Sequence, residues 1–352
     1  MTKSKTLRII IFLIVLIMIL TGVIYFKYKK NIQENNNLKN QMKIFSNKNI
    51  EDSIKIYTGE DRPIAVMIDN VGNARPQSGL NDAYLVYEII VEGEQTRLMA
   101  LFKGQNLKKV GPIRSSRHYF LDYALENDAI YVHYGWSPKA KSDITSLNVN
   151  NINGMVESSK SFWRVKDKSA PHNAVTSTEK IVEIAKRKKY RTYSSKKSVL
   201  RYISKEIDIE DGLRATNIKL PYSKFYSVTY KYDEKSKKYT RYYNDKKNGK
   251  WKTTMQKDWD TKDPITTKNI IVTFAKNTQL QDGTNKDRQN LSNIGTLDGY
   301  YITNGKAIKI KCVKTSRSNQ TVYKDLDGNE IDINDGNTFV QIVPLNSNVV
   351  IE

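Results

Sequence analysis

Arg62-Pro-Ile-Ala-Val-Met-Ile-Asp-Asn70 is the stretch on which the fold turns. Ile64 to Ile68 form an unbroken apolar run suited to a buried strand, and Asp69-Asn70 with the turn-rich Val71-Gly-Asn-Ala-Arg-Pro76 ends it. Further strands are expected at Ala83 to Val91, Arg97 to Phe102 and Ala129 to Tyr134. Between the last two, Ser115 to Leu125 sets Tyr119, Tyr123 and Ala124, or Phe120 and Leu121, on helical faces. Thr176-Ser-Thr-Glu179 has the spacing of a capping box and predicts a helix to about Lys189, with Ile181, Val182, Ile184 and Ala185 facing a core. The mixture predicts an α+β (or α/β) N-terminal globular domain over 62–210.

Beyond a short helix expected at Val199 to Lys205, the pattern becomes strands and turns. Phe225 to Tyr232 alternates, Asp233 to Lys238 turns the chain, and Tyr239 to Tyr243 returns. Asn269 to Ala275, Tyr300 to Thr303, Ala307 to Val313, Gln320 to Tyr323 and Thr338 to Val343 complete a smaller, mainly β C-terminal domain over 211–352.

Upstream, 27–61 is rich in Asn and Lys and reads as a polar spacer. Before it, Ile9 to Phe26 is an uncharged, mostly apolar run, about 27 Å long as a helix, behind a cationic start at Lys3, Lys5 and Arg8. It is too long for a signal-peptide core and ends in Tyr25-Phe26-Lys27 without a small-residue cleavage site, so one transmembrane helix, a signal anchor over 9–26, is expected behind a cytoplasmic 1–8. The only cysteine is Cys312, which excludes a lipidated N-terminus and any internal disulfide. Lys3, Lys5 and Arg8 balance Lys27, Lys29 and Lys30, so charge alone leaves the topology open.

The net charge is +21, and Lys180 to Lys250 carries 21 Lys or Arg against 8 Asp or Glu. Such a field attracts polyanions, whether wall polymers, lipid headgroups or, inside a cell, nucleic acid; it also serves as a solvated surface. Tyr226, Tyr230, Tyr232, Tyr239, Tyr242 and Tyr243 among the lysines could stack bases or sugars, but a Tyr-rich hairpin accounts for them more simply.

The three histidines, His118, His133 and His172, show no metal-ligand spacing, and no cofactor motif is present, so neither metal nor cofactor is expected. The densest polar cluster, Gly111-Pro-Ile-Arg114-Ser115-Ser116-Arg117-His118, falls at an expected helix start, where free N–H groups, hydroxyls and guanidinium groups could hold a phosphate or carboxylate. Equally, its arginines could pair with structural acids such as Asp69 or Glu88. Tyr131-Val-His133-Tyr-Gly135-Trp136 places polar and aromatic groups at the end of a strand, and Ala170-Pro-His172-Asn173 precedes a helix. The candidate ligand-binding residues are therefore Asp69, Asn70, Arg75, Glu88, Arg114, Ser115, Arg117, His133, Trp136, His172 and Asn173; none is assigned to catalysis.

Arg62 to Asn70, Ala74-Arg-Pro-Gln-Ser-Gly-Leu80, Val86-Tyr-Glu88 with Glu92-Gly93, Gly111 to Arg117 and Pro171-His-Asn173 occur in an order and spacing that resembles the YerB-like family of bacterial cell-envelope lipoproteins, a family of unknown function. Asn269-Ile-Ile-Val272, Gly328 and Gly336 to Pro344 extend the resemblance from about Ile54 to Val350. It implies an extracytoplasmic, membrane-tethered protein of a Gram-positive-type bacterium and supplies no reaction. The chain departs from the family in carrying an apolar anchor where the lipidated cysteine is expected.

These observations favour a binding or regulatory module at the envelope, whose partner is an anionic wall polymer, peptidoglycan or an envelope-synthesis protein. A cell-wall-active enzyme with a polar cleft in the N-terminal domain is the alternative, and a membrane-tethered cytosolic nucleic-acid binder the least favoured.

Overall fold

The computed structural model describes residues 21, 22, 25, 27–30, 32, 33 and 54–352 except 285. The chain divides into two units, Met1–Ser53 and Ile54–Glu352. In the first, the described residues are helical and exposed. Among the described residues no helix is long and apolar enough to cross a membrane, and most of the span expected over 9–26 and of the spacer lies outside them.

In the second unit, β1 (Ile64–Asp69), β2 (Leu85–Ile90), β3 (Thr96–Phe102), β4 (Ile130–His133) and β5 (Asn151–Asn153) belong to a 12-stranded sheet. Its main path runs Val322–Lys324, Lys306–Lys314, Gly295–Thr303, Asn269–Gln279, Thr338–Pro344, β2, β3, β1, β4, β5. β1 is antiparallel to β3 and parallel to β4, while Thr338–Pro344 lies parallel between β2 and Asn269–Gln279. A strand from near the C-terminus thus completes the sheet begun by the first half. A second, six-stranded sheet is built on Asn217–Pro221, Tyr226–Asp233, Lys238–Lys247 and Lys250–Met255, with the short Val350–Ile351 and Thr266–Thr267 at its margins.

β1 shows why its sequence lacks alternation. Ile64, Val66 and Ile68 enter one core with Ile218, Leu220, Val228 and Tyr230 of the second sheet and Ile181 and Ile184 of a helix. Ala65 and Met67 enter another with Phe120, Leu121, Ala124 and Ile144. Both faces are covered, so neither admits polar side chains until Asp69.

The expected α+β or α/β first domain is corrected by this architecture. The described chain is mostly sheet, and its α-helices in this unit are Phe120–Glu126, Pro138–Ser146 and Thr178–Arg187, of 7, 9 and 10 residues. The helix expected at Val199 to Lys205 is instead extended, because Tyr202–Ile203 pairs in parallel with Ile333–Asn334. The helix expected from Ser115 starts only at Phe120, because Ser116 donates its backbone N–H to Gly135 and bridges to Trp136. Non-local pairing overrides local helical spacing in both places. The helix Thr178–Arg187 is capped by Ser177, whose Oγ accepts from the Lys180 N–H at 3.2 Å, one residue later than the capping-box spacing suggests.

Candidate functional site

β1 carries Asp69 to the edge of the core, and two crossing segments bring charge to it. Gly111 to Ser116 runs across the end of β1: the Arg114 N–H donates to Met67 O at 2.9 Å, the Asp69 N–H to Pro112 O at 2.8 Å, and the Ile113 N–H to Ala174 O at 2.7 Å. Gly111 has φ +140°, and a Cβ there would stand 3.0 Å from Ile113 N and 3.1 Å from Ala174 O. Only glycine lets the segment pass this close.

Asp69 itself is buried, and its Oδ2 lies 3.2 Å from Arg114 Nε and 2.7 Å from His172 Nδ1. Arg114 and His172 remain part-exposed, at 26% and 18% of their side-chain surface, against 1% for Asp69. The carboxylate thus sits beneath a guanidinium cation and an imidazole that are both part-exposed. His172 Nε2 makes no hydrogen bond among the described residues, so with Nδ1–H held by the carboxylate the open nitrogen is an acceptor, and on protonation a cationic donor. Lys168 adds a third basic group. Its ammonium donates to Ala74 O at 3.0 Å, and burial lowers its pKa while Asp167 and Asp69 oppose that shift.

The other candidates fall into separate structural roles. Asn173 shapes the His172 loop: its Nδ2 donates to Val165 O and Lys168 O, and its Oδ1 accepts from Arg164 at 2.6 Å. Arg117 grips Glu92 through Nε at 2.8 Å and through Nη2, and donates from Nη1 to Ser116 O at 2.7 Å. Burial brings the Arg117 pKa down to about 10. Ser115 gives its hydroxyl to Tyr134 O and its carbonyl to Arg97 Nη1. The backbone N–H groups of Arg114 and Ser116 are spent on Met67 and Gly135, so the segment is not a helix start open to an anion.

Asn70, Glu88 and Arg75 lie between the sheets. Asn70 Nδ2 contacts Glu88 Oε1, Thr96 Oγ1 and Tyr226 OH within 3.1 Å, while its Oδ1 accepts from Gln77 at 2.8 Å. Gln77 accepts in turn from Gln256 at 2.8 Å, and Gln256 accepts from Arg241 at 2.6 Å. Arg241 Nη2 closes the ring 2.9 Å from Glu88 Oε2, with both side chains fully buried. Arg75 pairs with both oxygens of Asp245 at 2.8 and 2.9 Å, its guanidinium 3.8 Å from the Tyr243 ring centroid.

His133 is fully buried, its Nδ1 2.7 Å from Gly135 O and its Nε2 3.2 Å from Asn151 Oδ1. Burial pushes its pKa down to about 4, so it is neutral at ordinary pH. Trp136 stacks obliquely on it, ring centroids 5.4 Å apart, and partly closes it from solvent.

Of the sequence candidates, then, Asp69, Arg114 and His172 converge, and the rest position or pack. Sequence reasoning missed Lys168, Glu92, Gln77 and Arg241, and also Trp259. The last holds Lys109 and Lys168 4.0 and 4.1 Å from its ring centroid and donates from Nε1 to Asp167. An open groove lined by Leu213, Arg214, Thr216, Asn217, Ile351 and Glu352 shares none of these residues.

Comparison with known proteins finds two family models matched in chain order. Residues 52–191 match the N-terminal domain, and residues 218–340 the C-terminal domain, of a protein family of unknown function (DUF3048). YerB of Bacillus subtilis (strain 168), named as a lipoprotein, is 32% identical over 289 residues, covering 81% of this chain and 82% of its own. The crystal structure of the Bacillus subtilis YerB protein superposes with a TM-score of 0.72 at 29% identity, covering 85% of this chain and 98% of that one. With both domain models matched in order and a relative this similar over most of its length, the chain belongs to the YerB-like (DUF3048) family.

Proposed function

We propose that this chain is a membrane-attached, extracytoplasmic module that binds an anionic group of an envelope ligand at Arg114, His172 and Lys168. The name of the Bacillus subtilis relative supports membrane attachment, which the apolar N-terminal run would supply here in place of a lipid. The observation that carries the binding reading is Asp69: one buried carboxylate holds two part-exposed basic groups and leaves His172 Nε2 open. Arg114, Lys168, Lys109 and Lys262 outnumber Asp69, Asp167 and Asp260, so the local field favours a phosphate or carboxylate such as wall polymers and peptidoglycan carry.

The test is titration of the full chain in detergent with purified anionic wall polymer and with soluble peptidoglycan fragments. Arg114→Ala and His172→Ala should each weaken binding about tenfold, the loss of one charge-assisted hydrogen bond. Absence of binding to either ligand at low salt would remove the proposal.

A second reading, a wall-active enzyme, is favoured by the same histidine, since a carboxylate on Nδ1 with Nε2 open is how a general base is oriented. Turnover of peptidoglycan fragments that His172→Ala abolishes while binding persists would select it.

A further inference from the structure

The outer face of the six-stranded sheet takes no part in the site. Its register sets Lys219, Thr229, Tyr242 and Met255 in one rung and Ser227, Asn244 and Thr253 in the next. Lys246 follows, paired with Trp251 and donating its backbone N–H to Phe225 O. Lys231 shares this face, on the rung to the other side of Lys219. The two rings stand in solvent, Trp251 at 46% and Phe225 at 45% exposed. Lys219 and Lys246 each place an ammonium 5.9 Å from the Trp251 ring centroid, and Lys224 lies 5.1 Å from that of Phe225 and 3.5 Å from Glu94 Oε1, with which it pairs. Lys247 and Lys250 extend the positive field at the adjoining hairpin. Asp245 projects to the opposite face, where Arg75 neutralises it. Asp233 lies at the far end and is turned onto the backbone N–H groups of Lys235 and Ser236.

We propose that this face docks on an anionic phospholipid surface, with Trp251 and Phe225 at the headgroup level and the lysines on the phosphates. The combination decides the occupant. A polyol-phosphate polymer would use the ammonium groups and leave both rings in water, and a neutral glycan would stack on the rings and leave the ammonium groups unpaired, whereas an anionic lipid interface takes rings and charges together. Lysine stems reaching past the rings are suited to the same boundary. The proposal rests on the membrane-attached reading for its supply of lipid.

Ile54–Glu352 forms one compact unit, and the crystallised relative covers 85% of this chain. That unit can therefore be mixed with vesicles of phosphatidylglycerol and phosphatidylcholine, or of phosphatidylcholine alone, and followed by co-sedimentation and tryptophan fluorescence. Binding is expected on the anionic vesicles only, with a blue shift that Trp251→Ala removes. The pair K219E and K246E should lower partitioning about tenfold or more without changing the melting temperature. Equal partitioning to both vesicles, binding indifferent to the charge reversals, or no binding at low salt would overturn the proposal. So would loss of binding to a soluble wall polymer, and not to vesicles, in the reversed pair. Because K219E and K246E lie outside the Arg114 site, failure of docking with wall-ligand binding intact separates this proposal from the preceding one.

Discussion

Glu88 and Arg241 meet without any exposed side-chain surface, and their desolvation is tolerated because nearly every polar neighbour is enlisted around them. Removing one partner strands the other. Arg241→Met is expected to cost about 3–5 kcal/mol in urea unfolding, and adding Glu88→Gln should recover a large part of that loss. A second expectation concerns His133. Its folded pKa of about 4 lies below the ordinary 6.5, so the fold prefers the neutral ring, and its contribution is full above about 6.5 and lost as pH falls toward 4. The difference amounts to about 3 kcal/mol. Stability measured at pH 7 and pH 4.5 should fall more steeply for wild type than for His133→Gln. The sequence exposed the acidic half of the first pair in Val86-Tyr-Glu88, but no local pattern ties Glu88 to an arginine 153 positions later. Asp69 and Arg114 were legible as candidates for the opposite reason: each ends or follows a recognisable strand or turn.

At the scale of elements, β1 was the most readable, since a strand covered on both faces has a continuous apolar run. The helix over Thr178–Arg187 was legible through its apolar stripe, although its cap, Ser177, comes one residue after the start of the expected capping box. Gly111 to Ser116 was not. Its residues look like a helix start, whereas the segment is an extended crossing fixed by Met67, Ala174 and Gly135. Its passage depends on Gly111, so Gly111→Ala should cost about 1–3 kcal/mol of stability. It should also displace Arg114 from Asp69, which would be read as weaker ligand binding in the folded fraction.

The molecule as a whole is joined by pairings that no window of sequence displays. The expected α+β first domain gave way to sheet, and Thr338–Pro344, from the second half, pairs with β2 of the first on one side and Asn269–Gln279 on the other. The polar ring through Gln77 and Gln256 adds a second connection between them. Urea unfolding of Ile54–Glu352 should accordingly be one transition, with fluorescence and circular dichroism coincident. Two separated transitions would show that the halves are energetically independent.

The position of Thr338–Pro344 also sets a timetable. A chain made, or threaded across a membrane, from its N-terminus presents β2 with one side unpaired until about 250 further residues, through Pro344, have emerged. During that interval β2 is an open edge, available to a chaperone or to another copy of itself. Thr338–Pro344, the last strand of the 12-stranded sheet to arrive, is the one that closes it, so truncation a few residues before Thr338, which also removes Val350–Ile351 from the other sheet, should be far more damaging to yield than the share of the chain it removes suggests.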